Sequence, residues 1–175
     1  RRANLDITGA QLELDRSMLE TIVAPLEHLL RNAVEHGIED TDVREAAGKS
    51  PIGEIRLDAT LSGDELTLTV ADDGAGLDLG RIRARALERD LIAGHSSLGD
   101  DEVYELIFMP TFAAARGDAA ASNDRIGLAA ARAMIAAQGG SLVLSRKRGE
   151  GAAFCIRLPW MAVAGTRLEE IAQPP

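Results

Sequence analysis

The stretch from Ile55 to Asp72 constrains the fold more than any other part of the chain. Ile55, Leu57, Ala59 and Leu61 alternate with polar residues, Ser62-Gly63-Asp64 turns the chain, and Leu66, Leu68 and Val70 alternate again. A period of two puts successive side chains on opposite faces of a strand, so the two segments predict an antiparallel pair with one buried face. A sheet with one apolar face needs a second layer to cover it.

Helices supply that layer. In Pro25–Gly37, Leu26, Leu29, Leu30 and Ala33 recur at three- and four-residue spacing and form an apolar stripe suited to packing on a sheet. Pro25 suits a first helical position, where no N–H is needed, and Gly37 suits a left-handed residue just past the end. Asp15 stands where a cap belongs for a helix over 16–23 that passes through Pro25, with a bend expected there. Residues 41–48 read as a small helical turn or loop, and 78–91, 100–108 and 126–138 as further helices, the second of these capped by Asp100 or Asp101. Alternation around Gly9 predicts a hairpin of 3–8 with 11–14, and 142–144 with 153–156 predicts a last hairpin turned at Arg148–Gly151. Residues 109–125 lack periodicity and read as a lid. This order predicts an α+β fold, a two-layer α/β sandwich with a mixed, mostly antiparallel sheet and helices on one face. A Rossmann domain does not fit, because no Gly-rich loop joins an early strand to a helix in the required pattern.

Composition sets bounds on function. At 175 residues the chain fits one domain with at most an appendage, expected as 1–159 followed by a linker or the start of another domain over 160–175. The single cysteine, Cys155, rules out a disulfide framework and fits a reducing compartment. No apolar run is long enough to span a bilayer and no secretory signal opens the chain, so a cytoplasmic location without direct membrane insertion is expected. A start at Arg1-Arg2-Ala3, without methionine, suggests an excised piece of a longer protein. A net charge of −9 without a basic-aromatic patch argues against nucleic acid.

Two groups of residues exceed what packing requires. His28, Asn32, Glu35 and His36 fall together on a second face of the Pro25–Gly37 helix, although a polar helix face is often simply solvated. Asp72-x-Gly74-x-Gly76 closes a strand: the glycines let the backbone approach a ligand, and the carboxylate can accept a hydrogen bond from an amine such as that of adenine. A plain Asp-Gly turn is the alternative.

Taken in order, Asn32 on a helix, Asp72-x-Gly74-x-Gly76 after a strand, a lid and a helix start at Gly127 resemble the ATP-binding (Bergerat-type) fold of histidine kinases, gyrase, Hsp90 and MutL. The wording is similar to the chemotaxis-type histidine kinases, CheA and relatives: His28-Leu-Leu-Arg-Asn-Ala-Val-Glu-His-Gly-Ile38, Arg44-Glu-Ala-Ala-Gly-Lys49, Asp72-Asp-Gly-Ala-Gly-Leu-Asp78, Ile107-Phe-Met-Pro-Thr-Phe112 and Phe154-Cys-Ile-Arg-Leu-Pro159. The resemblance implies ATP and Mg²⁺ as cofactors and transfer of the γ-phosphoryl to a histidine on a separate phosphotransfer domain. It also implies a CheW-like coupling partner, a downstream response regulator and a dimeric parent protein.

By the same resemblance Asn32 is the magnesium ligand and, with His28, the catalytic pair. Asp72 reads adenine in a pocket shaped by Gly74 and Gly76. His36, Arg81 and Arg85 match phosphate-side positions, and Gly127 and Leu128 open the helix after the lid. The pattern departs on the phosphate side: the lid ends Ser122-Asn-Asp-Arg-Ile-Gly127, with Asn123 and Arg125 where glycines are expected, Ala113-Ala114 replaces a Ser-Thr pair, and Ala152 replaces a hydroxyl residue. Three readings follow: an active kinase module, a degenerate module that binds nucleotide weakly or not at all and has a structural or regulatory part in a signalling array, and a MutL-like ATPase. The His28 and His36 wording counts against the third. His95 lies in a Gly-Ser loop, so the phosphoacceptor histidine is expected elsewhere.

Overall fold

The alternating segments become β3 (Gly53–Ser62) and β4 (Glu65–Asp72), paired antiparallel with Leu57 opposite Val70 and Ala59 opposite Leu68. Gly63, at φ +59, supplies the positive dihedral that the turn between them needs. The computed structural model describes residues 1–94, 97–113, 127–146, 151–160 and 166–167, and the statements below concern these.

With β1 (Ala3–Thr8), β5 (Ser141–Arg146) and β6 (Ala153–Pro159), the main sheet has five strands in the order β1-β3-β4-β6-β5. β1 runs parallel to β3, and β4, β6 and β5 continue antiparallel, so the sheet is mixed and mostly antiparallel as expected. The hairpin expected around Gly9 does not form. β1 pairs only with β3 in this sheet, and β2 (Glu13–Leu14) joins β7 (Thr166–Arg167) in a separate antiparallel pair. Alternation specifies which face of a strand is buried and leaves its partner open. Gly9, at φ +76, turns the chain against β3, where a Cβ would stand 1.9 Å from the Ala59 carbonyl oxygen.

α1 (Arg16–Asn32) is capped by Asp15, whose carboxylate accepts the Met18 N–H at 2.7 Å. The helix runs through Pro25, which lies inside it rather than at a start, buried beside Leu26 and Leu29. Residues Ala33–Gly37 then form one π-helical turn, closed by the Ile38 N–H on the Ala33 carbonyl at 2.8 Å. α2 (Thr41–Ala46), α3 (Leu79–Glu88, capped by Asp78) and α4 (Asp100–Glu105) follow. The cap of α4 is Gly99 rather than Asp100 or Asp101; Glu102 reaches back to accept the Gly99 N–H at 2.8 Å. A 3₁₀ turn at Leu106–Phe108 and the four-residue α5 (Pro110–Ala113) give order to the start of the stretch expected to be irregular. α6 (Leu128–Ala137) packs beside α1 over the sheet.

Ile55, Leu57, Leu66, Leu68, Val70, Leu142, Ile156 and Leu158 on the sheet meet Ile22, Leu26 and Leu29 of α1 and Ile135 of α6 in one core. Arg56, Thr67, Thr69 and Arg157, at the alternate positions, stay partly or fully exposed. Phe154 meets Phe108 edge to face, with centroids 6.3 Å apart. Beyond β6, the Trp160 N–H bonds the Asp64 carbonyl at 2.7 Å, tying the chain to the β3–β4 turn.

Candidate functional site

The apolar row of β4 is Leu66, Leu68, Val70, and the next residue on that face is Asp72, opposite Ile55 on β3. A carboxylate therefore occupies a core position at the strand end and is 5% exposed. Buried carboxylates need donors, and Asp72 Oδ1 accepts the N–H of Gly74 at 2.9 Å and of Ala152 at 3.2 Å. Three glycines make room around it. A Cβ on Gly37 would stand 2.8 Å from the Asp72 carboxyl carbon, and one on Gly151 would stand 1.9 Å from the Asp72 carbonyl oxygen. A Cβ on Gly74 would meet the Gly37 carbonyl oxygen at 2.0 Å. Gly37 is thus not the left-handed residue expected from its place after a helix. It has no positive φ and is small because the Asp72 side chain lies against it. Gly76, at φ +72, carries the positive dihedral of the loop.

Next to Asp72 lies a charged cluster whose role the sequence did not announce. Arg44 is completely buried, and its guanidinium donates to Glu39 Oε2 at 2.8 Å, Asp73 Oδ2 at 2.7 Å and the Ser50 carbonyl at 2.7 Å. Lys49 Nζ donates to Glu39 Oε1 at 2.6 Å and to the carbonyls of Asp73 and Gly74 at 3.0 and 2.9 Å. Burial works to raise the Asp73 carboxyl, but the Arg44 hydrogen bond, the Glu54 N–H and the two cations outweigh it and hold it below its ordinary value. Burial likewise opposes ionisation of Glu39, and Lys49 and Arg44 more than offset it, so Glu39 is also lowered. The hydrogen bond to Asp73, ahead of Glu39, raises Arg44 against the effect of burial. The Arg44-Glu-Ala-Ala-Gly-Lys49 wording was the visible signal, but nothing in its spacing pointed at Asp73.

Of the polar row on α1, the structure brings His28 and Asn32 together: the Asn32 amide nitrogen lies 2.8 Å from His28 Nε2. With the amide donating, His28 accepts at Nε2 and carries its proton on Nδ1, and Asn32 Oδ1 has no other hydrogen-bond partner among the described residues. Burial, then the charges of Arg31 and His36, lower the His28 pKa and favour this neutral form. Both side chains are half-buried. The π turn that begins at Ala33 adds a residue to the helical repeat, so Glu35 and His36 do not continue the His28–Asn32 row in α-helical register. His36 is exposed, near enough to His28 to act on it electrostatically. Glu35 is exposed as well, and its carbonyl is engaged by Arg1.

On α3, Arg81 is exposed and its backbone N–H takes the Asp78 cap at 3.1 Å. Arg85 turns to α5: its Nε donates to the Phe112 carbonyl at 3.1 Å and its guanidinium lies 5.4 Å from the centre of the Phe112 ring. Arg89 bonds the neighbouring Thr111 carbonyl at 3.0 Å. Gly127 and Leu128 stand at the start of α6, Gly127 as its N-cap. Ala152 touches Asp72 through its backbone N–H, so this contact does not use its side chain. His95 and residues 114–126, which hold Asn123, Arg125 and most of the stretch expected as a lid, lie outside the described residues. Among the described residues no three His, Cys, Asp or Glu converge to hold a metal, and no helix is long and apolar enough to cross a membrane.

Residues 21–161 match the family model described as histidine kinase-, DNA gyrase B-, and HSP90-like ATPase. Among curated proteins, the chemotaxis protein CheA of Bacillus subtilis is 38% identical over 161 residues, 91% of this chain and 24% of the relative. CheA of Rhizobium meliloti is 38% identical over 151 residues, 86% of this chain and 20% of the relative. The gliding motility regulatory protein of Myxococcus xanthus is 36% identical over 161 residues, 91% of this chain and 21% of the relative. The chain thus spans about a fifth to a quarter of the length of these relatives. Among solved structures, full-length ShkA in complex with AMPPNP superposes with a TM-score of 0.54 at 20% identity, covering 93% of this chain and 27% of that one. The histidine kinase domain of the Erythrobacter litoralis EL346 blue-light activated kinase gives a TM-score of 0.51 at 17% identity, covering 89% and 53%. At these identities the superpositions establish a shared fold. Over most of its length the chain is similar to part of the CheA proteins, and it belongs to the histidine kinase-, DNA gyrase B- and HSP90-like ATPases.

Proposed function

We propose that this domain binds Mg-ATP and passes the γ-phosphoryl to a histidine on a separate phosphotransfer domain, in the cytoplasm and within a CheA-like signalling protein. The observation that carries the reading is the buried Asp72 carboxylate, set into a core position and ringed by Gly37, Gly74 and Gly151. A hydrophobic strand end that gives a core position to a carboxylate, with glycines packed closely against it, is suited to a flat ring with an amino group. Adenine has both features.

The donor chemistry on α1 fits the other end of the nucleotide. With its nitrogen engaged by His28, Asn32 offers a hard amide oxygen of the kind that Mg²⁺ takes together with phosphate oxygens. Such an ion would neutralise charge on the phosphates during transfer. His28 holds the Asn32 amide in that orientation and stays neutral. In the transfer itself an imidazole nitrogen of the acceptor attacks the γ-phosphorus, the bond to the ADP oxygen breaks, and ADP leaves. Catalysis is then mainly positioning and charge stabilisation. His36, Arg81 and Arg85 are the residues proposed for the phosphates, and Gly127 and Leu128 the helix start facing them. In the longer protein the partners are a phosphotransfer domain, a CheW-like coupling protein and a response regulator, with the parent a dimer.

Calorimetric titration with ATP, with and without Mg²⁺, tests this. Asp72→Ala is expected to weaken ATP binding by about 1–3 kcal/mol, the cost of an unpaired buried polar edge; unchanged affinity rejects the adenine assignment. Asn32→Ala should abolish the Mg²⁺ dependence of binding, and a variant that keeps the full dependence rejects the metal assignment. Phosphotransfer to a histidine phosphotransfer domain from the same protein then decides whether bound ATP is used.

A further inference from the structure

α2 is six residues long and its only buried side chain is Arg44, while Val43 beside it is 56% exposed. A short helix is usually held to a domain by apolar contacts. This one is held by a guanidinium and its hydrogen bonds, and hydrogen bonds have directions that apolar contacts lack. Those directions converge on the loop that follows Asp72. The two adjacent aspartates face opposite ways: the Asp72 carboxylate accepts from Gly74 and Ala152, and the Asp73 carboxylate accepts the Glu54 N–H at 2.9 Å and one Arg44 Nη2–H at 2.7 Å behind it.

Every backbone polar group of Asp73 and Gly74 is engaged. The Asp73 N–H bonds the Glu54 carbonyl at 3.1 Å, and its own carbonyl receives Lys49 at 3.0 Å. The Gly74 N–H bonds Asp72, and the Gly74 carbonyl receives Lys49 at 2.9 Å. Ala75 N–H closes the loop on the Gly37 carbonyl at 3.0 Å. Glu39 spans Arg44 and Lys49 with its two oxygens, so two cations and two carboxylates balance. Removing a loop's freedom before a ligand arrives raises affinity, because the ordering cost is not incurred on binding.

We propose that Arg44 and Lys49 are positioning residues for the nucleotide base. They act through Asp73 and the Asp73–Gly74 carbonyls to hold the loop in the conformation in which Asp72 reads adenine. This rests on the reading that Asp72 binds the base. The cluster contacts the base only through the loop, so its loss degrades base recognition before it degrades phosphate binding.

The test measures ATP and GTP affinities by calorimetry for the wild type, Asp72→Ala, Lys49→Met, Asp73→Asn, Arg44→Lys and Arg44→Met, with a thermal melt of each. Lys49→Met, at a partly exposed side chain, is expected to melt close to wild type yet bind ATP roughly tenfold more weakly. Its preference for ATP over GTP should narrow, and Asp73→Asn should do the same. Arg44→Lys keeps the charge and loses the fork, so it should retain more ATP affinity than Arg44→Met. A merely structural role would lower the melting temperature and leave the ATP-to-GTP ratio alone. If Asp72→Ala loses binding while folded Lys49→Met and Asp73→Asn keep wild-type affinity and base preference, the positioning role is overturned by itself. If the wild type takes no ATP, or Asp72→Ala binds it undiminished, the assignment of the pocket falls and this inference falls with it.

Discussion

Two neighbouring aspartates in the same turn have different fates, and the difference lies in the pleat. Asp72 continues the inward row of β4 and is buried, whereas Asp73 has left that row and meets Arg44 and the backbone of β3. The motif Asp72-x-Gly74-x-Gly76 was legible as a close-approach loop, but which glycine does what was not. Gly74 is required by the backbone of Gly37, and Gly76 by its own dihedral. Gly37 was legible only as a glycine after a helix; its real neighbour, Asp72, is 35 residues along the chain, and no local pattern reports such a contact. Gly37→Ala is expected to fold and to bind ATP roughly tenfold more weakly, because the added methyl would displace the Asp72 carboxylate. A titration of the folded variant showing wild-type affinity would separate Gly37 from the proposed pocket.

At the level of elements, periodicity located β3, β4 and most helices within a few residues, because each had to bury one face. It failed where a neighbour chose the partner. β1 turned out parallel to β3 instead of folding onto β2; the helix, by contrast, passes through Pro25 as expected, its packing overriding the missing N–H. The π turn after Asn32 was not legible either, since its sequence, Ala-Val-Glu-His-Gly, is ordinary helix material. The core that sets these elements is tested at Leu68, which is fully buried on β4 between Ala59 and Ile156. Leu68→Ala is expected to lower stability by about 2–5 kcal/mol through lost burial and a residual cavity, read as a fall in denaturant midpoint at constant slope. A loss well under 1 kcal/mol would mean the inner face is less tightly packed than the register implies.

For the whole molecule, the charged cluster links the fold to pH. Asp73 and Glu39 both ionise more readily when folded than their ordinary values of 3.8 and 4.5. A carboxylate lowered in the folded state contributes stability that is present above its unfolded value and is lost as pH falls through the folded one. Urea midpoints should therefore be steady near neutrality and begin to fall below about pH 4.5, and Asp73→Asn should flatten part of that decline. An identical acid slope in wild type and Asp73→Asn would show that the cluster does not report folding. The sign would reverse only if the folded state favoured the protonated acids, which the two cations oppose.

From the sequence alone came the alternating strands, the amphipathic helices, the two-layer α+β class, and the order of motifs that marks an ATPase of the histidine kinase, gyrase and Hsp90 kind. These follow from short-range periodicity and from residue types at fixed spacing, which one chain carries by itself. Only the tertiary structure decided that Asp72 takes a core position, that Gly37 and Gly151 stand against it, and that Arg44, Glu39, Lys49 and Asp73 form one cluster behind its loop. The physical reason is distance along the chain: Gly37 and Gly151 stand 35 and 79 positions from Asp72, and Arg44 and Lys49 stand 29 and 24 positions from Asp73, so the packing that brings them together is a property of the whole core.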